Sequence, residues 1–167
     1  MMRRRHVAWL VLVLACGALA GCGFQLRGQA TYAFESIFVN ADASPPLATE
    51  LKRALGGASQ SKIADSAANA QVVLDVPTVQ DDKEVLSLSS GGSVREYQLI
   101  KRVSFRLHDK DGNDWMPAGE VVIRRAYTFN ETQVLARDLE EQRLRREMQT
   151  DAVQQIVRRL QSAKKPA

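Results

Sequence analysis

Nucleophilic and metal chemistry need histidine, cysteine and carboxylates within reach of one another, and this chain offers little of the first two. Its histidines are His6 and His108, and its cysteines are Cys16 and Cys22. Only His108 stands in the body of the chain, and one histidine builds neither a catalytic triad nor a zinc cluster. It reads as a solvated residue at a strand end. The stretch "DKDGNDWMPAGE" sets Asp109, Asp111, Asn113 and Glu120 at positions 1, 3, 5 and 12 of a calcium-loop count. Position 6, where the sharp turn wants glycine, is Asp114, and the flanks read as strands. A simple β-turn at Asp111-Gly112 is therefore the preferred reading. Neighbouring carboxylates such as Asp81/Asp82 and Glu140/Glu141 point to different sides of a strand or helix and make no acid/base pair. Nothing marks an enzyme, and no metal or cofactor is expected. The basic residues are more suggestive. Arg95, Lys101, Arg102, Arg106, Arg124 and Arg125 fall on the two best strands, and Arg137 lies where the last strand hands over to the last helix. Guanidinium and ammonium groups placed this way suit phosphate, although ordinary surface charge is the plainer reading.

Cys22 has a different use. The chain opens with "MMRRRH", followed by the apolar run "VAWLVLVLAC". That is a positive n-region and a short h-region of a secretion signal, well short of the roughly 20 apolar residues of a membrane span. It ends in Leu19-Ala20-Gly21-Cys22, which resembles the lipobox of bacterial lipoproteins, cleaved before the cysteine and lipidated on it. Removing residues 1–21 leaves 146 residues, enough for one domain with a real core. Lys+Arg falls from 23 to 20 while Asp+Glu stays at 19, so the formal net charge drops from +4 to +1. The basic character thus belongs mostly to the signal and supports no nucleic-acid partner. Cys16 leaves with the signal, and the covalent lipid occupies Cys22. No disulfide and no thiol nucleophile remain. One acyl chain binds a membrane only marginally, whereas two or three hold it firmly. Gly23 rather than Asp follows the cysteine, which in this class implies the outer membrane.

The elements that must position the basic residues follow from periodicity. Ile37 and Val39 alternate with Phe38 and Asn40 in a short strand. "SPPLATELKRALGG" reads as a helix, with Ser44 as N-cap, Pro45 in the first position, Leu47, Leu51 and Leu55 on one face and Gly56 at its end. "ASQSKIADSAAN" reads as a connection with at most a short extended piece. Val72, Leu74 and Val76 begin a long extended segment that Pro77 and "QDDKE" interrupt, which predicts a bulge or an edge position. "SSGGS" is a loop tip. In "VREYQLIKRVSFRLHD", Tyr97, Leu99, Lys101, Val103, Phe105 and Leu107 share the mainly apolar face. "DKDGNDWMPAG" reads as a turn-rich connection, and "EVVIRRAYTFN" as a strand with Val121, Ile123, Tyr127 and Phe129 on one face. A long helix over about Val134 to Ser162 carries the stripe Leu144, Met148, Ala152, Ile156, Leu160, with Val153 and Val157 beside it. Glu141 and Arg145 stand at i,i+4 on its charged side. The expectation is an α+β two-layer sandwich of two helices on a four-stranded sheet, in the order β-α-β-β-β-α. Its parts are a signal over 1–21, a lipidated tether over 22–34, the domain over 35–162 and a frayed end over 163–167.

"CGFQLRG" at the mature start, "EYQL" after the hairpin tip and "VLARDLEEQRLRREMQTDAVQQIVRRL" at the end resemble the LptE (RlpB) family of lipopolysaccharide-assembly outer-membrane lipoproteins. The resemblance covers nearly all of the mature chain. It implies a two-helix, four-stranded sandwich that plugs and helps assemble the outer-membrane barrel LptD, faces periplasm and barrel lumen, and binds lipopolysaccharide. In the family, one basic residue at the hairpin tip and one before the last helix are tied to that binding. Arg137 in "VLARD" matches the second. The first falls, counting back from "EYQL", on Ser90, which is a departure, and Arg95 is the nearby charge that replaces it. The competing expectation is a periplasm-facing lipoprotein that binds a peptidoglycan enzyme or another soluble partner.

Overall fold

The computed structural model describes residues 31–58, 61–128 and 134–166. Five strands form one mixed sheet: β1 (Ser36–Asn40), β2 (Lys62–Ile63), β3 (Val72–Leu88), β4 (Val94–Asp109) and β5 (Asp114–Thr128), in the spatial order β2-β1-β3-β4-β5. Helix α1 (Pro45–Ala58) follows β1, and α2 (Val134–Leu160) follows β5. The β1–β3 pairing is parallel and needs the α1 crossover, whereas β3, β4 and β5 form an antiparallel meander.

The α+β sandwich with two helices is as expected, but the sheet has five strands where four were expected. The extra strand, β2, is the two-residue "KI" inside the segment read as a connection, and it pairs in parallel with β1. Two residues carry too little periodicity to signal a strand. A second correction concerns β5, which begins at Asp114, so "DWMPAG" is strand rather than connection. Pro117 and Gly119 read as breakers, yet they sit where the β4–β5 register slips, between Phe105↔Gly119 and Leu107↔Met116. An edge strand tolerates proline at such a bulge. Gly119 has a packing reason as well: a Cβ there would stand 3.0 Å from the Phe105 ring and 3.3 Å from Arg159 Nη1.

The Pro77 interruption is also a bulge, with a register shift between Asp75 and Thr78. The first four residues of β3, Val72 to Asp75, are central, between β1 and β4. Beyond Asp75, β1 no longer accompanies it, and β3 runs on as an edge paired only with β4.

One face of the sheet carries both helices. Leu47, Leu51 and Leu55 of α1, Met148, Ala152, Ile156 and Leu160 of α2, and Val72, Leu74, Leu99, Val103, Phe105, Leu107 and Val121 of the sheet bury together. The core extends past both expected bounds of the domain. Phe34 is buried against Trp115, with ring centroids 6.3 Å apart. Ala163 is buried too, and the Lys164 amide donates to the Trp115 carbonyl. Helix α1 runs to Ala58, past Gly56, and the Ser44 carbonyl accepts from the Ala48 amide. Phe129 lies outside the described residues.

Both ends of the described chain therefore meet at the start of β5. The β3–β4 hairpin tip and the start of α2 lie at the opposite, distal end. The 16 residues of β4 span about 50 Å between these ends at roughly 3.3 Å per residue. No helix among the described residues is long and apolar enough to cross a membrane.

Candidate functional site

Most of the basic residues on the strands are held in ion pairs. Lys101 is only 3 % exposed, and its ammonium lies 2.8 Å from Asp81, directly opposite on β3. Arg102 bonds Asp82 at 2.9 Å, and Arg106 bonds Asp114 at 2.6 Å and the Gly112 carbonyl at 3.0 Å. Arg125 pairs with Asp151 of α2. The first three pair within the sheet and Arg125 ties it to α2; Lys101, being buried, is not the surface charge expected of it. Arg95 and Arg124 are exposed, with no ion pair found for either among the described residues.

The calcium-like loop is a hairpin turn. Asp109 Oδ1 accepts the amides of Asp111 and Asn113, both at 2.9 Å, and Gly112 takes φ +87°. The Asn113 bonds hold the Asp109 carboxyl below its ordinary value. His108, at the strand end, has Nε2 2.8 Å from Asp75 and Nδ1 2.6 Å from the Asp109 carbonyl oxygen. It joins β4 to β3 and faces no nucleophile.

The distal end is different in character. At the hairpin tip, Ser90 is exposed in a turn where Gly92 takes φ +84°. The amides of Ser89, Gly92 and Ser93 are bonded within that turn, so the tip presents fewer backbone donors than "SSGGS" suggests. Arg95 stands at the start of β4, where the pairing slips between Ser87↔Glu96 and Leu88↔Val94. Beside it, Val85, Leu86 and Leu88 are exposed.

Two residues further along β4, Tyr97 stacks on Tyr127 of β5, with ring centroids 5.9 Å apart. The Lys83 ammonium lies 4.3 Å from the Tyr97 ring centre and 5.6 Å from that of Tyr127. It donates to Glu141 of α2 at 2.6 Å; the Tyr127 hydroxyl donates to the same carboxylate at 2.6 Å. The Arg145 guanidinium donates to the other Glu141 oxygen at 2.7 and 3.0 Å. Burial works to raise the Glu141 pKa, but the bonds from Lys83, Tyr127 and Arg145 outweigh it and hold the carboxyl at about 2. Burial works against the Lys83 ammonium, and its bonds to Glu141 and Tyr127 overcome that and raise its pKa. Burial, then the Glu141 charge, raises the Tyr127 phenol.

Arg137 stands one turn before Glu141 on α2. Its guanidinium bonds Asp138 at 2.8 and 2.9 Å, which raises its pKa. Arg137 thus stands one turn from the Glu141 carboxylate that holds Tyr127, the partner of Tyr97 in the aromatic pair. Ser90, Arg95 and Arg137 are all at the distal end of the molecule. The Glu141 cluster was not foreseen. The i,i+4 spacing of Glu141 and Arg145 was legible, but it marked a solvated helix face, whereas the pair turns toward the sheet. Cys22 lies outside the described residues.

Comparison with known proteins places this geometry in a context. A sequence profile of the family LptE, described as lipopolysaccharide-assembly, matches residues 34–160. The LPS-assembly lipoprotein LptE of Pectobacterium atrosepticum is 31% identical over 160 residues, covering 94% of this chain and 86% of that protein. The solution structure of an uncharacterized lipoprotein B from Nitrosomonas europaea superposes with a TM-score of 0.73 at 33% identity, over 84% of this chain and 91% of that one. The crystal structure of the rare lipoprotein B from Shewanella oneidensis gives 0.66 at 27% identity, over 76% and 94%.

Proposed function

The chain belongs to the LptE family of lipopolysaccharide-assembly lipoproteins, and from that premise we propose that it is a non-enzymatic subunit of the outer-membrane lipopolysaccharide translocon. It is held to the outer membrane by lipid on Cys22, sits in the lumen of the LptD barrel as a plug and assembly partner, and binds lipopolysaccharide on its way to the outer leaflet. The observation that carries the reading is the make-up of the distal end. Arg95 and Arg137 lie near one aromatic pair, next to exposed Val85, Leu86, Leu88 and Leu139. A lipid A molecule presents phosphates joined to acyl chains, and cations beside exposed apolar side chains match both halves of that chemistry. Of the other strand cations, Lys101, Arg102, Arg106 and Arg125 are ion-paired within the fold, whereas Arg95, next to the tip, has no ion pair among the described residues.

Two experiments test the two halves of this reading. The full lipoprotein, purified from outer membranes through an affinity tag, brings down an outer-membrane barrel if it is the plug; recovery without a barrel overturns that role. Purified protein binds lipopolysaccharide with an affinity that falls as salt rises. Arg95→Ala/Arg137→Ala lowers the affinity roughly three- to tenfold, as expected for screened charge-assisted contacts. Affinity unchanged in the double variant, with no salt dependence in the parent, removes the site assignment.

A further inference from the structure

We propose that Glu141 is a positioning residue for lipopolysaccharide capture: its one carboxylate takes Lys83 of β3, Tyr127 of β5 and Arg145 of α2, and so sets the separation between the hairpin tip and Arg137. The proposal rests on the binding role just described.

Two features of the distal end make this clamp necessary. The first is that no described side chain of α2 between Arg137 and Glu147 is fully buried. Among the described side chains of that helix, the first buried one is Met148, while Leu139 is 59% exposed and Leu144 only half-buried. Arg137 is eleven residues before Met148, about 16 Å along a helix at 1.5 Å per residue. Leu144, seven residues on from Arg137, packs against the core but is only partly buried, and a helix start held that weakly frays unless something else ties it down. The second feature is the far half of β3, which has lost β1 as a neighbour and leaves Val85, Leu86 and Leu88 exposed. The tip and the helix start are thus the two parts of the proposed surface that the hydrophobic core does not fix.

The Glu141 carboxylate bridges them. Its bonds reach β3 and β5 at 2.6 Å each and α2 at 2.7 Å. Lys83 carries the link onward to the Tyr97 ring of β4, the strand on which Arg95 stands two residues away. Arg137, Glu141 and Arg145 recur at i, i+4, i+8, so they share one face of α2. Asp81, 4.0 Å from Arg145 and 2.8 Å from Lys101, extends the network down the sheet.

The test uses full-length lipoprotein in detergent, with spin labels at Ser90→Cys and Gln142→Cys, two exposed positions. The expected parent shows one narrow label-to-label distance, and Glu141→Ala broadens it. In the same preparation without labels, Glu141→Ala lowers lipopolysaccharide affinity roughly three- to tenfold, and adding Arg137→Ala lowers it little further, because a displaced Arg137 has already lost its contact. A purely structural Glu141 would lower the melting temperature but leave Arg137→Ala with its full effect, which overturns the proposal. An unchanged distance distribution overturns it too. If Glu141→Ala does not fold, Glu141→Gln keeps the shape without the charge and is read on the same two scales. Indifference of the parent's affinity to Arg137→Ala removes the binding role itself, while the label distances still judge whether Glu141 sets the geometry.

Discussion

Lys101 and Glu141 show how far a charged residue's surroundings override its sequence context. Lys101 falls in the apolar row of β4 and does face the core side, where its ammonium is buried and answered by Asp81. Removing the exposed partner leaves the buried ammonium unpaired, which costs far more than removing the buried charge and leaving a carboxylate that water reaches. Asp81→Ala should destabilise the protein by about 2–3 kcal/mol, discounted for the half-exposed carboxylate, whereas Lys101→Met should be close to neutral. Chemical denaturation of the two variants checks the contrast. Glu141 provides a pH test. Its folded pKa of about 2 lies below the ordinary value of about 4.3, so its contribution is complete above the ordinary range and disappears as pH falls toward 2. The stability gap between the parent and Glu141→Gln should therefore shrink between about pH 5 and pH 2, by an amount on the order of 1–3 kcal/mol. The groups that set it are Lys83, Tyr127 and Arg145. A gap that stays constant over that range means that the carboxylate is not held by these bonds. Arg145 was legible as a partner of Glu141 from its i,i+4 spacing, but the pairings that cross between elements were not: 20 residues separate Lys101 from Asp81 and 58 separate Lys83 from Glu141.

At the scale of elements, legibility followed the length of the pattern. The row from Leu99 to Leu107, the Leu47/Leu51/Leu55 face and the Met148-to-Leu160 stripe all repeat their period often enough to identify strand or helix, and all are buried as expected. The failures came where the pattern was short or broken. Strand β2 has two residues, and the first part of β5 hides Trp115 and Met116 behind Pro117 and Gly119. In "WMPAG" the breakers mark a bulge in a strand that continues, a distinction that needs the register with β4. Gly119 is the residue on which that register depends. Gly119→Val should cost about 1–3 kcal/mol, since the added atoms meet the buried Phe105 ring, which has little room to retreat, and the mobile Arg159 end cannot absorb the whole clash. Thermal unfolding measures it. A variant as stable as the parent would mean that Phe105 repacks freely. The far half of β3 shows the converse: Pro77 and the acidic run correctly predicted a bulge and an edge, because an edge needs only one side of its ladder bonded.

The whole molecule has two unlike ends. At one, Tyr32, Phe34, Trp115 and Ala163 close the core where the described chain begins and the last helix finishes. At the other, the core gives way to a polar clamp, exposed apolar side chains and two arginines. The family resemblance was readable in the sequence, and Ser90, Arg95 and Arg137 stood there as separate candidate positions. That all three fall at one end, about 50 Å from Phe34 and Trp115, follows from the meander of β3, β4 and β5 and from the return of α2 antiparallel to β5. The distal end is the part proposed to touch lipopolysaccharide. The most direct measurement is site-specific photocrosslinking in living cells. A photoreactive residue replaces Ser90 in one strain and, in another, Asp111 at the β4–β5 turn on the opposite end. Illumination should yield a lipopolysaccharide adduct from Ser90 and none from Asp111. Adducts from Asp111 with none from Ser90, or equal yields from both, would contradict the claim.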